Sequence, residues 1–226
     1  MTMIANNLQQ LRARLQQACA QAGRAPQDVT LLAVSKTFGA DAVLEAYAAG
    51  QHAFGENYIQ EAVEKITALR HLPLQWHCIG PIQSNKTRPV AEHFDWVHTV
   101  DRLKIAQRLS EQRPAHLAPL QVCIQVNVDG GPTKSGVAPH DALALARQVA
   151  DLPRLQLRGL MCIPEPAPDF VAACAVFARA RALFDAIIVA GVPLDTLSMG
   201  MSADLEAAVA SGSTMVRVGS AIFGKR

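Results

Sequence analysis

The hydrophobic and polar residues of this chain follow two alternating patterns along its 226 residues. Short, nearly continuous apolar runs that contain β-branched residues predict strands buried on both faces. Longer segments, with apolar residues three and four positions apart, predict amphipathic helices. The predicted strands are Val29–Val34, His52–Gly55, Gln75–Ile79, Trp96–Val100, Leu120–Val128, Leu157–Ile163, Thr196–Met199 and Met215–Val218.

A helix or helical turn follows each predicted strand, and one further amphipathic helix, Asn6–Ala22, precedes the first. Strict alternation of strands and helices implies parallel strands joined by right-handed crossovers. Eight such units are typical of a (β/α)8 barrel. We therefore predict an α/β fold, a TIM barrel with an extra N-terminal helix. No composition break marks a linker, so residues 1–226 are expected to form a single domain. A doubly wound open sheet is the alternative.

The composition excludes several classes of protein. Half of the residues are hydrophobic and 18% are charged, which indicates a globular chain. A net charge of +2 without a basic stripe argues against nucleic acid as a partner. No signal peptide or bilayer-spanning run is evident, and the five scattered cysteines predict neither disulfides nor a metal site. We expect a cytoplasmic protein.

Lys36 stands directly beyond the first apolar run, at the rim of a hydrophobic sheet. Desolvation at such a place can turn a lysine into a nucleophilic amine that forms Schiff bases. The alternative is a lysine that extends its charged end into solvent. In a (β/α)8 barrel, function is built at the carboxyl ends of the strands, which is where Lys36 is expected.

Two glycine–serine sets follow the seventh and eighth predicted strands: Gly200 with Ser202, and Gly219 with Ser220. Glycine permits close backbone approach, serine offers a hydroxyl donor, and each set is expected at a helix N-terminus. These two loops are the recurrent phosphate position of this barrel. Ordinary helix caps are the alternative, but two sets on adjacent strands favour phosphate.

Arg217 lies inside the last predicted strand, and a buried arginine needs a partner. That partner is either a carboxylate such as Glu56 or the ring nitrogen of a planar cofactor. A lysine amine, a phosphate site and an arginine on one rim point to pyridoxal 5′-phosphate held as a Schiff base. Arginine disfavours a protonated ring nitrogen and so damps the carbanion chemistry of this cofactor.

Other polar residues carry weaker signals. Lys134 is interpreted as a solvated loop lysine, with a second functional amine as the alternative. Glu61, Glu64 and Lys65 have the spacing of charges on a helix surface. His77 has no partner at metal-ligand spacing, so no metal site is predicted.

Six stretches resemble the pyridoxal phosphate homeostasis proteins, the YggS/PROSC family, which are related in fold to the N-terminal barrel of alanine racemase. They are AVSKT (33–37), FGENYIQEA (54–62), WHCIGPIQSNK (76–86), VNVDGGPTKSGV (126–137), RGLMCIP (158–164) and LSMGMSADLEAAVASGSTMVRVGSAIFG (197–224). The resemblance implies that Lys36 carries the cofactor covalently. It also implies non-covalent contacts from Asn57, Ser202, Arg217, Gly219 and Ser220.

The same resemblance implies a carrier or regulator of vitamin B6 supply, with no catalytic residue assigned and with apoenzymes that require the cofactor as possible partners. Phe38 stands where many members have a further lysine, and the chain stops at Arg226. Both departures put secondary cofactor binding in doubt, except at Lys134. The alternatives are an amino-acid racemase, disfavoured because no second domain follows the barrel, and a Schiff-base aldolase without this cofactor. A monomer is expected.

Overall fold

The computed structural model describes residues 2–131 and 135–224. Within them the strands form one closed parallel barrel in chain order, and the last strand returns to pair with the first. The prediction of a TIM barrel is therefore confirmed, and the open sheet is excluded. The strands are β1 Thr30–Val34, β2 Ala53–Glu56, β3 Gln75–Cys78, β4 Trp96–Val100, β5 Leu120–Gln125, β6 Leu155–Met161, β7 Thr196–Ser198 and β8 Met215–Val218.

Helices surround this barrel, and the predicted extra helix precedes β1. The helices are α1 Met3–Gln21, α2 Ala40–Ala48, α3 Ile59–Ala68, α4 Thr87–His93, α5 Leu103–Gln112, α6 Ala142–Ala150, α7 Phe170–Val189, α8 Leu205–Ala210 and α9 Ser220–Phe223. None of those in the described ranges has the length and apolar content that crossing a bilayer requires.

Strand residues alternate between two apolar layers. On β1, Ala33 belongs to the large core shared with the helices, whereas Leu32 and Val34 pack in a separate cluster with Ala53 and Met215 of the neighbouring strands. That second cluster fills part of the barrel interior. Because both faces of a strand are covered, the strands are continuous apolar runs in the sequence.

The fifth strand is shorter than the sequence predicts. β5 ends at Gln125, whereas the apolar run continues to Val128. Its ladder with β6 ends at Gln125 and Met161. Beyond that point the chain pairs with its own loop, because the amide of Asn127 donates to the carbonyl of Val137 at 3.0 Å. The apolar run extends past the point at which the partner strand ends.

The first helix is joined to the last elements of the chain. The Asn7 side-chain amide donates to the carbonyl of Ile222 in α9 at 2.9 Å. Arg14 forms an ion pair with Glu206 of α8 at 2.6 Å. The loops that follow β7 and β8 are thus held from outside by α1.

Candidate functional site

The six predicted site residues lie on one arc of the barrel rim. Each belongs to, or directly follows, one of four strands that are consecutive around the barrel: β7, β8, β1 and β2. They are Lys36 after β1, Asn57 after β2, Ser202 after β7, Arg217 within β8, and Gly219 and Ser220 after β8. Since all strands are parallel, these positions share the carboxyl-terminal end of the barrel.

Lys36 is exposed at this rim, two residues beyond Val34. The Ser35 amide still donates to the carbonyl of Gly55 at 3.0 Å, so the pairing of β1 with β2 extends one residue further. The Ser35 hydroxyl donates to Glu56, on the side of the barrel wall that faces the helices. Because successive side chains of a strand point to opposite faces, the side chain of Lys36 begins on the inner side. The burial expected for this amine from the sequence is absent in the structure.

Arg217 is buried, with 4% of its surface exposed. Its Nη1 donates to Ser198 Oγ at 2.8 Å and its Nη2 to the carbonyl of Cys162 at 2.9 Å. Desolvation lowers the pKa of Arg217, and Cys162, Asp204 and Cys123 act in the opposite direction. Among the residues described, none forms an ion pair with it.

The salt bridge from Arg217 to Glu56, considered from the sequence, is not formed. Glu56 accepts instead from Ser35 Oγ at 2.6 Å and from Lys65 Nζ at 2.6 Å. Side chains alternate along β2, and Ala53 packs in the barrel interior, so Glu56 points to the outside, toward α3. The guanidinium and this carboxylate lie on opposite sides of the barrel wall.

A chain of hydrogen bonds leads away from Arg217 through the barrel interior. Ser198 Oγ lies 2.9 Å from His98 Nδ1, and His98 Nε2 lies 2.9 Å from His77 Nδ1. His77 Nε2 ends the chain at Gln75 Oε1, 3.0 Å away. With Arg217 as donor and the Gln75 oxygen as acceptor, one neutral Nε2-protonated tautomer of each histidine satisfies every contact.

Burial keeps both histidines neutral. It lowers the pKa of His77 to about 3. It also lowers the pKa of His98 well below its ordinary value, with further lowering by His77 and Arg217. Uncharged groups therefore line the guanidinium on this side. His98 and Ser198 were not identified from the sequence, although polar residues at inward positions of apolar strands were the available signal.

Asn57 supplies an acceptor at the rim. Its Oδ1 is buried and has no hydrogen-bond partner among the described residues. The backbone of Asn57 is approached closely by Gly80, where a Cβ would lie 2.2 Å from the Asn57 carbonyl oxygen. Glycine at position 80 is therefore required to seat Asn57.

The two glycine–serine sets differ from each other. Gly219 precedes α9, which begins at Ser220 as predicted. α8, by contrast, begins only at Leu205, so Ser202 is not at a helix N-terminus and lies in the preceding turn. The expected helix start at Ser202 is wrong because Asp204 closes that turn by accepting from the Met201 amide at 2.6 Å.

Glycine is nevertheless needed in both loops. Gly200 has a φ of 95°, and a Cβ there would lie 2.4 Å from the Cβ of Ala208. A Cβ on Gly219 would lie 3.1 Å from the carbonyl oxygen of Val34. The amides of Ser220 and Ala221 belong to the first turn of α9, which has no intrahelical acceptor for them. Lys134 lies outside the described residues.

Lys65 and Glu61 differ from the helix-surface charges expected of them. Lys65 is buried, with 5% of its side chain exposed, and pairs with Glu56 at 2.6 Å and Glu61 at 2.7 Å. A signal was available, since Lys65 lies three residues after Ala62 and four before Leu69, both buried on the apolar side of α3.

Comparisons with known proteins bear on the family and the fold of the chain. A family model described as alanine racemase, N-terminal domain, matches residues 6–226. A pyridoxal phosphate homeostasis protein of Pseudomonas aeruginosa is 61% identical over 226 residues, which cover 100% of this chain and 97% of the relative.

Solved structures extend the comparison. PipY of Synechococcus elongatus PCC7942, solved with PLP bound, is 41% identical with a TM-score of 0.85, over 98% of this chain and 100% of PipY. Alanine racemase of Clostridium difficile 630 is 15% identical with a TM-score of 0.74, over 99% of this chain and 57% of the racemase. The racemase shows the shared fold alone.

Proposed function

The chain belongs to the family of pyridoxal phosphate homeostasis proteins, and on that premise we propose that it holds pyridoxal 5′-phosphate (PLP) at the rim of its barrel. The protein acts in intracellular vitamin B6 homeostasis and has no turnover of its own. PipY, which resembles this chain over its full length, binds PLP in its solved structure.

The observation that carries the proposal is Arg217. A buried guanidinium without an ion-pair partner among the described residues has donors to offer, and its neighbours Ser198 and His98 are neutral. The pyridine nitrogen of PLP has a lone pair that accepts such a donor without a full charge. Arg217 therefore suits the ring of the cofactor.

Lys36 anchors the cofactor in this proposal. Its amine nitrogen attacks the aldehyde carbon of PLP, a C=N bond forms, and the aldehyde oxygen leaves as water. The bond is a reversible Schiff base, as a carrier requires. Bound PLP supplies an electron-withdrawing ring conjugated to this imine. The exposed position of Lys36 gives a second amine access to the imine for release.

The phosphate group occupies the arc formed by Ser202, Gly219 and Ser220. Ser202 and Ser220 offer hydroxyl donors, and the first-turn amides of α9 offer two more. Asn57, on the β2 side, contacts the cofactor outside the phosphate, because its unpartnered Oδ1 accepts hydrogen bonds and a phosphate has none to donate. Loops after the seventh and eighth strands are the usual phosphate position in this fold.

The proposed ring contact argues against turnover. Arginine stays protonated near neutral pH and can only donate hydrogen bonds, so it stabilises a ring nitrogen that carries no proton. An unprotonated ring is a weaker electron sink, and the carbanion steps of racemisation are slowed. An amino-acid racemase is thus the less favoured function, although the fold is shared with alanine racemase.

The test is reduction with borohydride followed by peptide mass spectrometry. Protein incubated with PLP is expected to develop a visible Schiff-base band and to carry the pyridoxyl mass on Lys36. Lys36→Ala is expected to lose both, whereas Lys86→Ala, which removes another exposed rim lysine, keeps both. A protein that stays colourless and unlabelled with PLP contradicts the proposal, and label on Lys134 would reveal a second site.

A sensitive assay of alanine racemisation separates carrier from enzyme. We expect no activity above that of Lys36→Ala. We further propose that PLP-requiring apoenzymes receive the cofactor, that residues 1–226 form one domain, and that the protein is a cytoplasmic monomer. The transfer is tested by mixing the PLP-loaded protein with an apoenzyme and measuring the activity that the apoenzyme gains. The monomeric state is tested by analytical ultracentrifugation of the purified protein.

A further inference from the structure

The backbone immediately after Lys36 is strained. Thr37 has a φ of 69°, in the left-handed region that β-branched residues rarely adopt. Among the described non-glycine residues, only Arg154 shares this region, with a φ of 62°. Such a conformation persists only where surrounding contacts enforce it, and it is frequent at functional sites.

Helix α3 supplies those contacts on both sides of Lys36. The Thr37 amide donates to Glu61 Oε1 at 2.7 Å, and Lys65 Nζ donates to the carbonyl of Ser35 at 2.9 Å. Lys36 lies between the two residues whose backbone is held. Its own side chain remains exposed and takes no part in these bonds.

Lys65 joins the two contacts into one cluster. Its amine contacts three oxygens: the Ser35 carbonyl, Glu56 Oε1 and Glu61 Oε1. Ser35 Oγ donates to the same Glu56 oxygen at 2.6 Å. Three acceptors fill the three donors of a lysine, so the geometry of the cluster is fully specified.

The cluster is costly to bury. Burial raises the pKa of the Glu56 carboxyl, and the hydrogen bonds from Lys65 and Ser35 oppose that rise. Glu56 Oε2 is buried and has no partner among the described residues. Replacing a buried ion pair by apolar residues is often neutral or stabilising, so net stability does not by itself account for this cluster.

We propose that Glu61 and Lys65 are positioning residues for Lys36. They hold the backbone on both sides of it, at the Ser35 carbonyl and at Thr37 in its left-handed conformation, and so present the amine to the cofactor. The inference rests on the proposed function of Lys36. Without the cluster, Thr37 relaxes to an ordinary φ, and Lys36 no longer leaves the strand toward the barrel mouth.

Glu61→Ala tests the proposal, with Thr37→Gly as a rescue. The alanine variant removes the acceptor for the Thr37 amide, and we expect the apparent affinity for PLP, followed by the Schiff-base band, to fall about tenfold. Glycine adopts the left-handed conformation without strain. The double variant Glu61→Ala/Thr37→Gly is therefore expected to return within about threefold of the parent.

Two further variants keep the test specific. Glu61→Gln retains an acceptor oxygen for the Thr37 amide and is expected to bind PLP within about threefold of the parent. Glu64→Ala removes an exposed carboxylate from the same helix and is expected to change nothing. Thermal unfolding of the PLP-free proteins monitors the fold, which is expected to persist because Glu61 is one-third exposed.

The outcomes separate this inference from the proposed function. Glu61→Ala with parental affinity overturns the inference, as does a loss that Thr37→Gly does not restore, because a general loss of stability would not be repaired by glycine. A parent protein that forms no reducible bond at Lys36 overturns the proposed function instead. If Glu61→Ala does not fold, a Gln variant as weak as Lys36→Ala overturns the positioning role.

Discussion

Two arginines of this protein are equally buried, each 4% exposed, and they have different surroundings. Arg113, at the end of α5, donates to three backbone carbonyls: Nε to Ala118 at 2.8 Å, and Nη1 to Ala91 at 2.8 Å and Phe94 at 2.7 Å. Arg217 donates to one carbonyl and one hydroxyl, with a neutral histidine beyond the hydroxyl.

The difference teaches that burial alone does not mark a ligand site. Desolvation lowers the pKa of both arginines. Arg113 is compensated by carbonyls at the end of α4, where the helix dipole is negative, and by Asp95 nearby. Arg217 has less compensation from the protein and lies on the arc with Lys36. The first arginine is engaged by the backbone, whereas the second is the one that we propose as a contact of the cofactor.

The largest effect is expected from Arg113→Met. Three carbonyls lose their donor, and we expect the free energy of unfolding to fall by about 3 kcal/mol. Urea unfolding of the PLP-free protein measures this. The affinity for PLP is expected to stay at the parental value, and a loss of PLP binding in the folded variant would erase the distinction between the two arginines.

Arg217→Met is expected to show the opposite pattern. The affinity for PLP falls about a hundredfold, since a charge-assisted contact to the ring is lost. Stability of the PLP-free protein changes by less than about 1 kcal/mol, because relief from burying the cation offsets two hydrogen bonds. Titration of the Schiff-base band and urea unfolding measure the two quantities. Parental affinity in this variant argues against the ring contact.

Gly200→Ala sharpens the comparison at the backbone of Arg217, whose amide donates to the Gly200 carbonyl at 3.0 Å. A Cβ at a φ of 95° meets the Cβ of Ala208, and we expect a loss of about 2 kcal/mol in unfolding free energy. Gly191→Ala is the matched control. Its φ is 91° with open space around it, so only about 1 kcal/mol is expected. Equal losses would mean that the Ala208 contact is unimportant.

The buried neutral histidines of the hydrogen-bond chain from Arg217, His98 and His77, predict that the protein loses stability in acid. Because burial lowers the pKa of His77 from 6.5 to about 3, the unfolded chain binds more protons between these values. The contribution of His77 to stability is therefore full above pH 6.5 and falls as the pH is lowered, by about 1.4 kcal/mol per pH unit. His98 acts in the same direction. Urea unfolding from pH 7 to 5 measures the slope.

A matched pair of variants tests whether the buried histidines cause the slope of stability against pH. His77→Gln should reduce the slope without abolishing it, since His98 still contributes in the same direction. His140→Gln, at an exposed histidine, should leave it unchanged. An unchanged slope in His77→Gln would show that other groups cause the acid sensitivity.

Much of the fold could be predicted from local pattern. Apolar runs such as Leu120–Gln125 are strands because both of their faces are covered, and their order along the chain is also their order around the barrel. Closure of β8 on β1 could only be inferred from the number of units. Where a strand ends depends on its partner strand. The apolar run to Val128 therefore predicted a longer β5 than the pairing with β6 allows.

Residues of the candidate site could be singled out from the sequence where they violate their local pattern. Arg217 in an apolar strand and Lys36 at the end of one are such violations. The helix pattern places Lys65 on the buried side of α3, but it does not show the carboxylate with which Lys65 pairs, that of Glu56. The left-handed conformation of Thr37 has no sequence signal at all, since threonine is not a residue that favours it.

The seam between β1 and β8 has a consequence for synthesis of the protein. Lys36 is made early, whereas Arg217, Gly219 and Ser220 are made last, and α1 waits for Ile222 and Glu206 to secure it. A nascent chain on the ribosome thus carries Lys36 long before these other residues exist. Contacts over such sequence separations form slowly. The complete site that we propose for PLP is therefore present only in finished molecules.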